Sequence, residues 1–424
     1  MRTRLLVLGW MALGATSSAR GDTCPALTLP VPAKFEQVSR HDVKVPEIVD
    51  YGDKQLDPFF DKLARLARGT PMLLRIGTYG DSNWTNDRTA GEIRRRLQLA
   101  FGDGGHGFVG FGIPWGWYHH QNIQHGVTGK WNAWNLSAMP IKDGMYSFAG
   151  MSAETSQTGA TAWVETAKTG APVGTAVTSF EVSYLAKPRG GGFEVLIDGE
   201  VKDTIESDAS SAEVRYLRYK VLDGAHRLTI KVKTGSVRLF GVALERDRGI
   251  VLDGIGMNAL NPLRMTKMDR AQLAAGLTRR SYDLLIETTG TNVWSPIDHK
   301  TVMPELMTLL RQSLPRAAFM LWSAPDFVKM NREGQDPISE PFMRFMAGAK
   351  KQMAETHKIG WWDQFEALGG AGSAPKWTKA QFYEPDGIHL GPRMNAYIGE
   401  RFVHALLKEL ARRVEKDPKL GCGK

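Results

Sequence analysis

Met72-Leu73-Leu74-Arg75-Ile76-Gly77-Thr78-Tyr79-Gly80-Asp81-Ser82-Asn83 is the stretch on which the fold turns. Met72 to Ile76 has the apolar character of a buried strand, and Gly77 to Ser82 stop it with turn chemistry. Asp87 then stands where it can cap a helix carrying Ile93, Leu97 and Phe101, and Gly102 to Gly107 give that helix a glycine-rich exit. Strand, glycine-bearing turn and helix form the first half of a parallel α/β unit.

The same alternation returns far downstream. Strand-like runs fall at Ile250 to Leu252, Leu284 to Glu287 and Phe319 to Trp322, and helical patterns at Lys267 to Leu277, Val302 to Gln312, Pro341 to Thr356 and Arg393 to Val414. Open α/β sheets gather ligand sites at the carboxyl ends of their strands, so the residues just after each strand are where chemistry is expected. Between these blocks, Met151 to Glu245 shows no helical period. Short alternating runs appear instead, at Phe180 to Leu185, Phe193 to Ile197, Val214 to Val221, Leu228 to Val232 and Val237 to Leu244, punctuated by Gly190-Gly191-Gly192, Asp198-Gly199 and Asp223-Gly224. That pattern predicts an all-β sandwich inserted into an α/β domain. The expected layout is a leader over 1–19, an extension over 20–69, the α/β domain over 70–150 and 246–415, the sandwich over 151–245, and a tail over 416–424.

The chain has 424 residues, 54 Lys and Arg against 45 Asp and Glu, and 42% hydrophobic residues, which suits a packed globular protein and excludes a collagen-like or wholly disordered one. A net charge of +9 favours an anionic polymer as partner without naming it. Arg2 and Arg4, the apolar run Leu5 to Gly14 and the small residues Ser17, Ser18 and Ala19 have the order of a secretory signal peptide. Its removal takes away two arginines and no acid, leaving 52 − 45 = +7. The run is too short to span a bilayer, and no later stretch reads as a transmembrane helix. Cys24 and Cys422 read equally as a bond tying the termini or as two free thiols.

Ser82 follows a strand end in a tight turn. A serine there is a nucleophile only if a base takes its proton and donors meet the oxyanion; alone, Gly80-Asp81-Ser82 is better explained by an Asp/Ser cap on the following helix. Asp386 and His389 supply the base, three residues apart in Glu384-Pro385-Asp386-Gly387-Ile388-His389-Leu390, where a carboxylate can orient one imidazole nitrogen and leave the other for the serine. Gly256, through its backbone N–H, and Asn292, through its amide, fall at two further strand ends as oxyanion donors.

In these motifs and their order, Ser82, Gly256, Asn292 and His389, the sequence resembles the SGNH (GDSL-like) hydrolases. The resemblance covers roughly 70–130 and 248–415. It implies a flavodoxin-like three-layer α/β/α domain with a parallel sheet, Ser82 as nucleophile, His389 as base, Asp386 as its orienting carboxylate, and an oxyanion hole of Ser82, Gly256 and Asn292. Within that superfamily the stretch from Gly80-Asp81-Ser82 through Arg94, Leu97 and Gln98 to Phe101-Gly102-Asp103-Gly104-Gly105-His106-Gly107-Phe108-Val109 is similar to that of peptidoglycan O-acetylesterases, which also carry an inserted sandwich resembling a carbohydrate-binding module. Asn83, where many relatives place His, and Thr288-Thr289 before Gly290 depart from the pattern. The absence of Gly-x-Ser-x-Gly argues against the α/β-hydrolase fold.

The resulting expectation is a secreted or periplasmic esterase, with no metal or organic cofactor, that removes O-acetyl groups from an acetylated polysaccharide, peptidoglycan first. No nucleic acid is expected as partner. An O-acetyltransferase using the same residues, an esterase on xylan and a non-catalytic wall-binding protein are the rivals. His119, His120 and His125 lack a carboxylate or cysteine among them, which favours a solvated or aromatic-packed loop over a metal site. Trp115, Trp117, Trp131 and Trp134 read equally as a sugar-stacking cleft or as core. Arg94, Arg95 and Arg96 read as a solvated helix face.

Overall fold

The computed structural model describes residues 24, 25, 27, 29, 44–137, 139–293, 295–329 and 337–422; the leader expected over 1–19 lies outside them. Five parallel strands form the central sheet: β1 (Leu73–Gly80), β2 (Gly249–Gly256), β3 (Leu284–Glu287), β4 (Ala318–Trp322) and β5 (Gly360–Trp362). Their spatial order is 2-1-3-4-5, with Val49–Asp50 added antiparallel beside β5. Successive strand side chains point to opposite faces, and the sequence feeds both. Leu74, Ile76, Leu284, Ile286, Met320 and Trp322 enter one apolar cluster. Tyr79, Leu285, Phe319 and Leu321 enter another.

Helices α1 (Asp57–Ala67), α2 (Arg88–Phe101) and α6 (Pro392–Lys416) supply Phe60, Ile93 and Phe402 to the first cluster. Helices α3 (Arg270–Arg280) and α4 (Pro296–Ser313) supply Leu273, Leu277 and Leu306 to the second, and α5 (Pro341–His357) touches both. Their starts are chemically marked: Asp269 accepts from the Gln272 N–H ahead of α3, and prolines open α5 and α6. The chain reverses its direction of sheet growth between β1 and β3, and this opens a crevice at their carboxyl ends. Ser82 leaves the first of these strands and Asn292 follows the second.

Two antiparallel sheets interrupt the path from α2 to β2. One runs, in spatial order, Glu200–Glu206, Gly192–Ile197, Arg227–Thr234, Thr161–Glu165 and Gln124–Thr128. The other runs Glu213–Gly224, Val177–Ala186, Val237–Glu245, Met151–Thr155 and Asn132–Asn135, with Gly107–Gly110 also paired to Val237–Glu245. Val182 and Val242 of one sheet share a core with Phe193, Val195 and Ile230 of the other. The antiparallel strands therefore begin at Gly107, not at 151 as the sequence suggested. Strands such as Gln124-His125-Gly126-Val127-Thr128 are half-buried and polar, so they show little alternation of their own and depend on partners far along the chain.

Ion pairs join the two parts. Arg75 of β1 donates to both carboxylate oxygens of Glu245, at 2.8 and 2.7 Å, and buried Arg280 of α3 pairs with Glu245 at 2.9 Å while donating to both oxygens of Asp253 on β2. Burial alone would raise the Glu245 carboxyl, but Arg280 and Arg75 hold it down at about 2. The termini are also joined, by a Cys24–Cys422 disulfide, which resolves the pairing the sequence left open. No described helix is long and apolar enough to cross a membrane.

Candidate active site

Ser82 begins a single 3-10 turn, Ser82–Trp84, directly beyond β1. Asp81 shapes that turn: one carboxylate oxygen accepts from the Asn83 N–H at 3.1 Å and the other from the Thr291 N–H at 3.1 Å. Asp81 is buried, which raises its pKa against those hydrogen bonds. The Ser82 carbonyl is held by the Thr85 hydroxyl at 2.8 Å. The hydroxyl of Ser82 lies 3.0 Å from His389 Nε2, and His389 Nδ1 lies 2.6 Å from Asp386 Oδ2. The other Asp386 oxygen accepts from the backbone N–H groups of Ile388 and His389, both at 2.9 Å, so the loop before α6 fixes its own carboxylate. Burial pushes Asp386 upward, but the His389 ring and those N–H groups outweigh it and keep the carboxyl below its ordinary value.

Gly256 ends β2 in register with Gly80 at the end of β1. A Cβ on Gly256 would lie 2.2 Å from the backbone carbonyl of Trp84, so only glycine admits the Ser82 turn this close to the strand. Asn292 sits one residue past Thr291, the residue that binds Asp81. Its Nδ2 is buried with no hydrogen-bond partner among the described residues. A donor desolvated and unspent is costly unless something else uses it.

Ser82, Asp386 and His389 open on a cleft of about 410 Å³ lined also by Arg88, Trp117, His119 and Asn258, whereas Gly256 and Asn292 are not among its lining residues. Arg88 reaches Glu384 across the rim at 3.4 Å. Trp117 is 57% exposed and donates its indole N–H to the Thr85 hydroxyl at 3.0 Å, so its ring stands beside the serine turn. The other tryptophans divide differently: Trp115 is buried, Trp131 packs against the antiparallel core and Trp134 lies under Arg238. Of the four, Trp117 alone lines the cleft.

Three sequence readings are corrected. Arg94 is buried, not solvated: it donates to both oxygens of Asp87, at 2.9 and 2.8 Å, and to the Leu252 carbonyl at 3.0 Å. Arg95 and Arg96 pair with Glu92 on the same helix. Asp87 consequently makes no side-chain cap on α2. It also brings a carboxylate to the histidines, which seemed to lack one: Asp87, His106 and His120 offer ligand atoms within 4.8 Å of one another. They suit a cation poorly, because Arg94 already occupies both Asp87 oxygens, His106 Nε2 meets His120 Nδ1 at 3.0 Å, and His120 Nε2 meets the Tyr118 hydroxyl at 2.9 Å.

Asn83 is the residue whose part the sequence did not reveal. Buried beside Ser82, it accepts from the Leu390 N–H at 2.9 Å and reaches the Thr291 hydroxyl at 3.5 Å. One amide thus ties the serine turn to the loops of His389 and Asn292. The available signal was its place directly after Ser82, where the resemblance pointed to a different residue.

No family model matches the chain, and no curated protein matches it in sequence. Among solved structures, one described as a peptidoglycan O-acetylesterase in action superposes with a TM-score of 0.71 at 23% identity, covering 86% of this chain and 99% of that one. A family two carbohydrate esterase from Cellvibrio japonicus gives a TM-score of 0.27 at 12% identity, covering 72% of this chain and 98% of its own. A family 2 carbohydrate esterase with a carbohydrate binding domain from Corynascus thermopiles gives 0.29 at 12% identity, covering 68% and 100%. The first superposition shows that this chain has that fold.

Proposed function

We propose that the protein is a secreted serine esterase of the SGNH type that removes O-acetyl groups from a cell-wall polysaccharide, with peptidoglycan as the preferred polymer. The observation that carries this reading is the unbroken contact chain from Ser82 through His389 to Asp386 on the wall of an open cleft. The strand order 2-1-3-4-5, with helices on both faces, supports the flavodoxin-like three-layer domain, and the two antiparallel sheets support an inserted sandwich.

In this mechanism His389 Nε2 takes the Ser82 proton as the hydroxyl oxygen attacks the acetyl carbonyl, while Asp386 holds the ring and stabilises the imidazolium. The tetrahedral oxyanion is met by the N–H groups of Ser82 and Gly256 and by the Asn292 amide. Collapse expels the sugar oxygen, which takes its proton from His389, and leaves acetyl-Ser82. Water, deprotonated by His389, adds to that ester and releases acetate. Hydrolysis is favoured over transfer because the His389 and Asp386 side chains are 44% and 42% exposed, so water reaches the acyl-enzyme. Trp117 offers an apolar face for a sugar ring next to the serine. The leader over 1–19 supports export, and the structural neighbour described as a peptidoglycan O-acetylesterase supports the polymer.

Acetate release from O-acetylated peptidoglycan and from acetylated xylan tests this directly. Faster release from peptidoglycan, abolished by Ser82→Ala, is expected. Comparable release by the Ser82→Ala protein would overturn the reading.

A further inference from the structure

The segment leading to Asn292 is contacted by a buried charge that is not among the residues lining the cleft. Lys350, on α5, is fully buried and ion-pairs with Glu287 Oε2 at 2.8 Å. Its ammonium also donates to the backbone carbonyl of Thr289. The remaining Glu287 oxygen accepts from the Thr289 N–H at 2.9 Å and from the Thr289 hydroxyl. Two residues on, the Thr291 N–H is fixed on Asp81, next to Ser82. Between these anchors Gly290 runs so close to the neighbouring loop that a Cβ on it would lie 2.8 Å from the Ala324 methyl.

The segment 287–291 is thus pinned at one end by the Lys350–Glu287 pair and at the other by the serine turn. Immediately beyond it comes Asn292, whose buried Nδ2 has no partner among the described residues. A buried ion pair is weak evidence for stability, since an apolar side chain of similar volume often packs at least as well. Its use is better sought in what it orients. On this geometry we infer that Lys350 is a positioning residue, holding the Glu287–Thr291 segment so that the Asn292 amide stays aimed at the oxyanion instead of turning to a local acceptor.

The inference rests on the esterase reading, and its test is separable from it. The variants Ser82→Ala, Asn292→Ala, Lys350→Met, Glu287→Gln and the double variant Lys350→Met/Asn292→Ala are compared on 4-nitrophenyl acetate, with folding checked by circular dichroism. Losing one oxyanion donor costs ~10²–10³ in kcat, so Asn292→Ala should fall in that range. Lys350→Met should lower kcat by ~10–100-fold with KM within ~2-fold, since it disturbs a contact made in the transition state. In the Asn292→Ala background the same change should cost less than ~3-fold, because the amide it serves is gone.

Glu287→Gln, which keeps the shape of its side chain, should move kcat in the same direction, and it decides the matter if Lys350→Met does not fold. Equal losses from Lys350→Met in both backgrounds, or parent kcat in a folded Lys350→Met or Glu287→Gln protein, would overturn the inference. Were Ser82→Ala inactive and Asn292→Ala slow while Lys350→Met ran at the parent rate, this inference alone would fail. Parent-like activity in Ser82→Ala would instead sink the esterase reading beneath it.

Discussion

Two histidine–carboxylate contacts, His389 with Asp386 and His120 with Asp87, are built to opposite ends. His389 stands half-exposed on a loop, with one ring nitrogen 2.6 Å from Asp386 and the other 3.0 Å from Ser82. His120 is buried, its Nδ1 3.9 Å from Asp87, and its ring nitrogens meet His106 and Tyr118. Burial is the main force on His120 and drives its pKa down to about 3, with His125, Arg94 and His119 adding to it against the opposing pull of Asp87. A carboxylate near an imidazole is therefore not enough to make a base. At His389 the carboxylate is committed to the ring and the far nitrogen faces a hydroxyl in a cleft. At His120 the carboxylate is committed to Arg94, so the rings serve packing and hydrogen bonding.

The comparison breaks most sharply if the two clusters are exchanged in importance. Ser82→Ala should reduce acetyl-ester kcat by ~10⁴–10⁶, measured with purified protein, because the proposed mechanism makes the serine its covalent centre. Asp386→Asn should cost ~10²–10⁴ in kcat with little change in melting temperature, since the carboxylate orients an exposed ring. Asp87→Ala should do the reverse. It strands the buried Arg94 guanidinium, so urea unfolding should report a loss of about 3–5 kcal/mol while kcat of the folded protein stays within ~3-fold. A large kcat loss in Asp87→Ala without destabilisation would dissolve the distinction.

The smallest expected effect is on pH. The folded His120 value of about 3 lies below its ordinary 6.5, so the unfolded chain binds a proton there that the folded one refuses. Its contribution to stability is complete above pH 6.5 and is lost as pH falls from there toward 3. In that window the urea-derived stability of His120→Gln should decline less steeply than the parent's, by up to about 1.4 kcal/mol per pH unit. Asp87, Arg94, His106, His119 and His125 face His120, so parallel slopes in the two proteins would show that His120 does not carry the response.

Much of this was legible in the chain because it depends on local pattern. The strands after which Ser82 and Asn292 fall are apolar runs ended by turn residues, and the i, i+3 spacing of Asp386 and His389 suffices for one loop to bind both. What the sequence could not display was long-range pairing. Gly107–Gly110 and Gln124–Thr128 are too short and too polar to announce themselves, and they become strands because Val237–Glu245 and Thr161–Glu165 lie alongside. Arg94 looked like one of three surface arginines because nothing in a helical period says that Asp87 turns back toward it. Asn83 and Lys350 escaped for the same reason: each is defined by backbone groups hundreds of positions or several elements away.

The central claim is that Ser82 carries the acetyl group during turnover. Rapid quenching of the protein with an excess of acetyl ester, followed by proteolysis and mass analysis of the peptide containing Ser82, measures this most directly. The account predicts one added acetyl group on that peptide, absent in Ser82→Ala and reduced in yield in His389→Ala. Steady turnover with no acetyl group on Ser82, or with the same acetylated peptide pattern in Ser82→Ala, would contradict it.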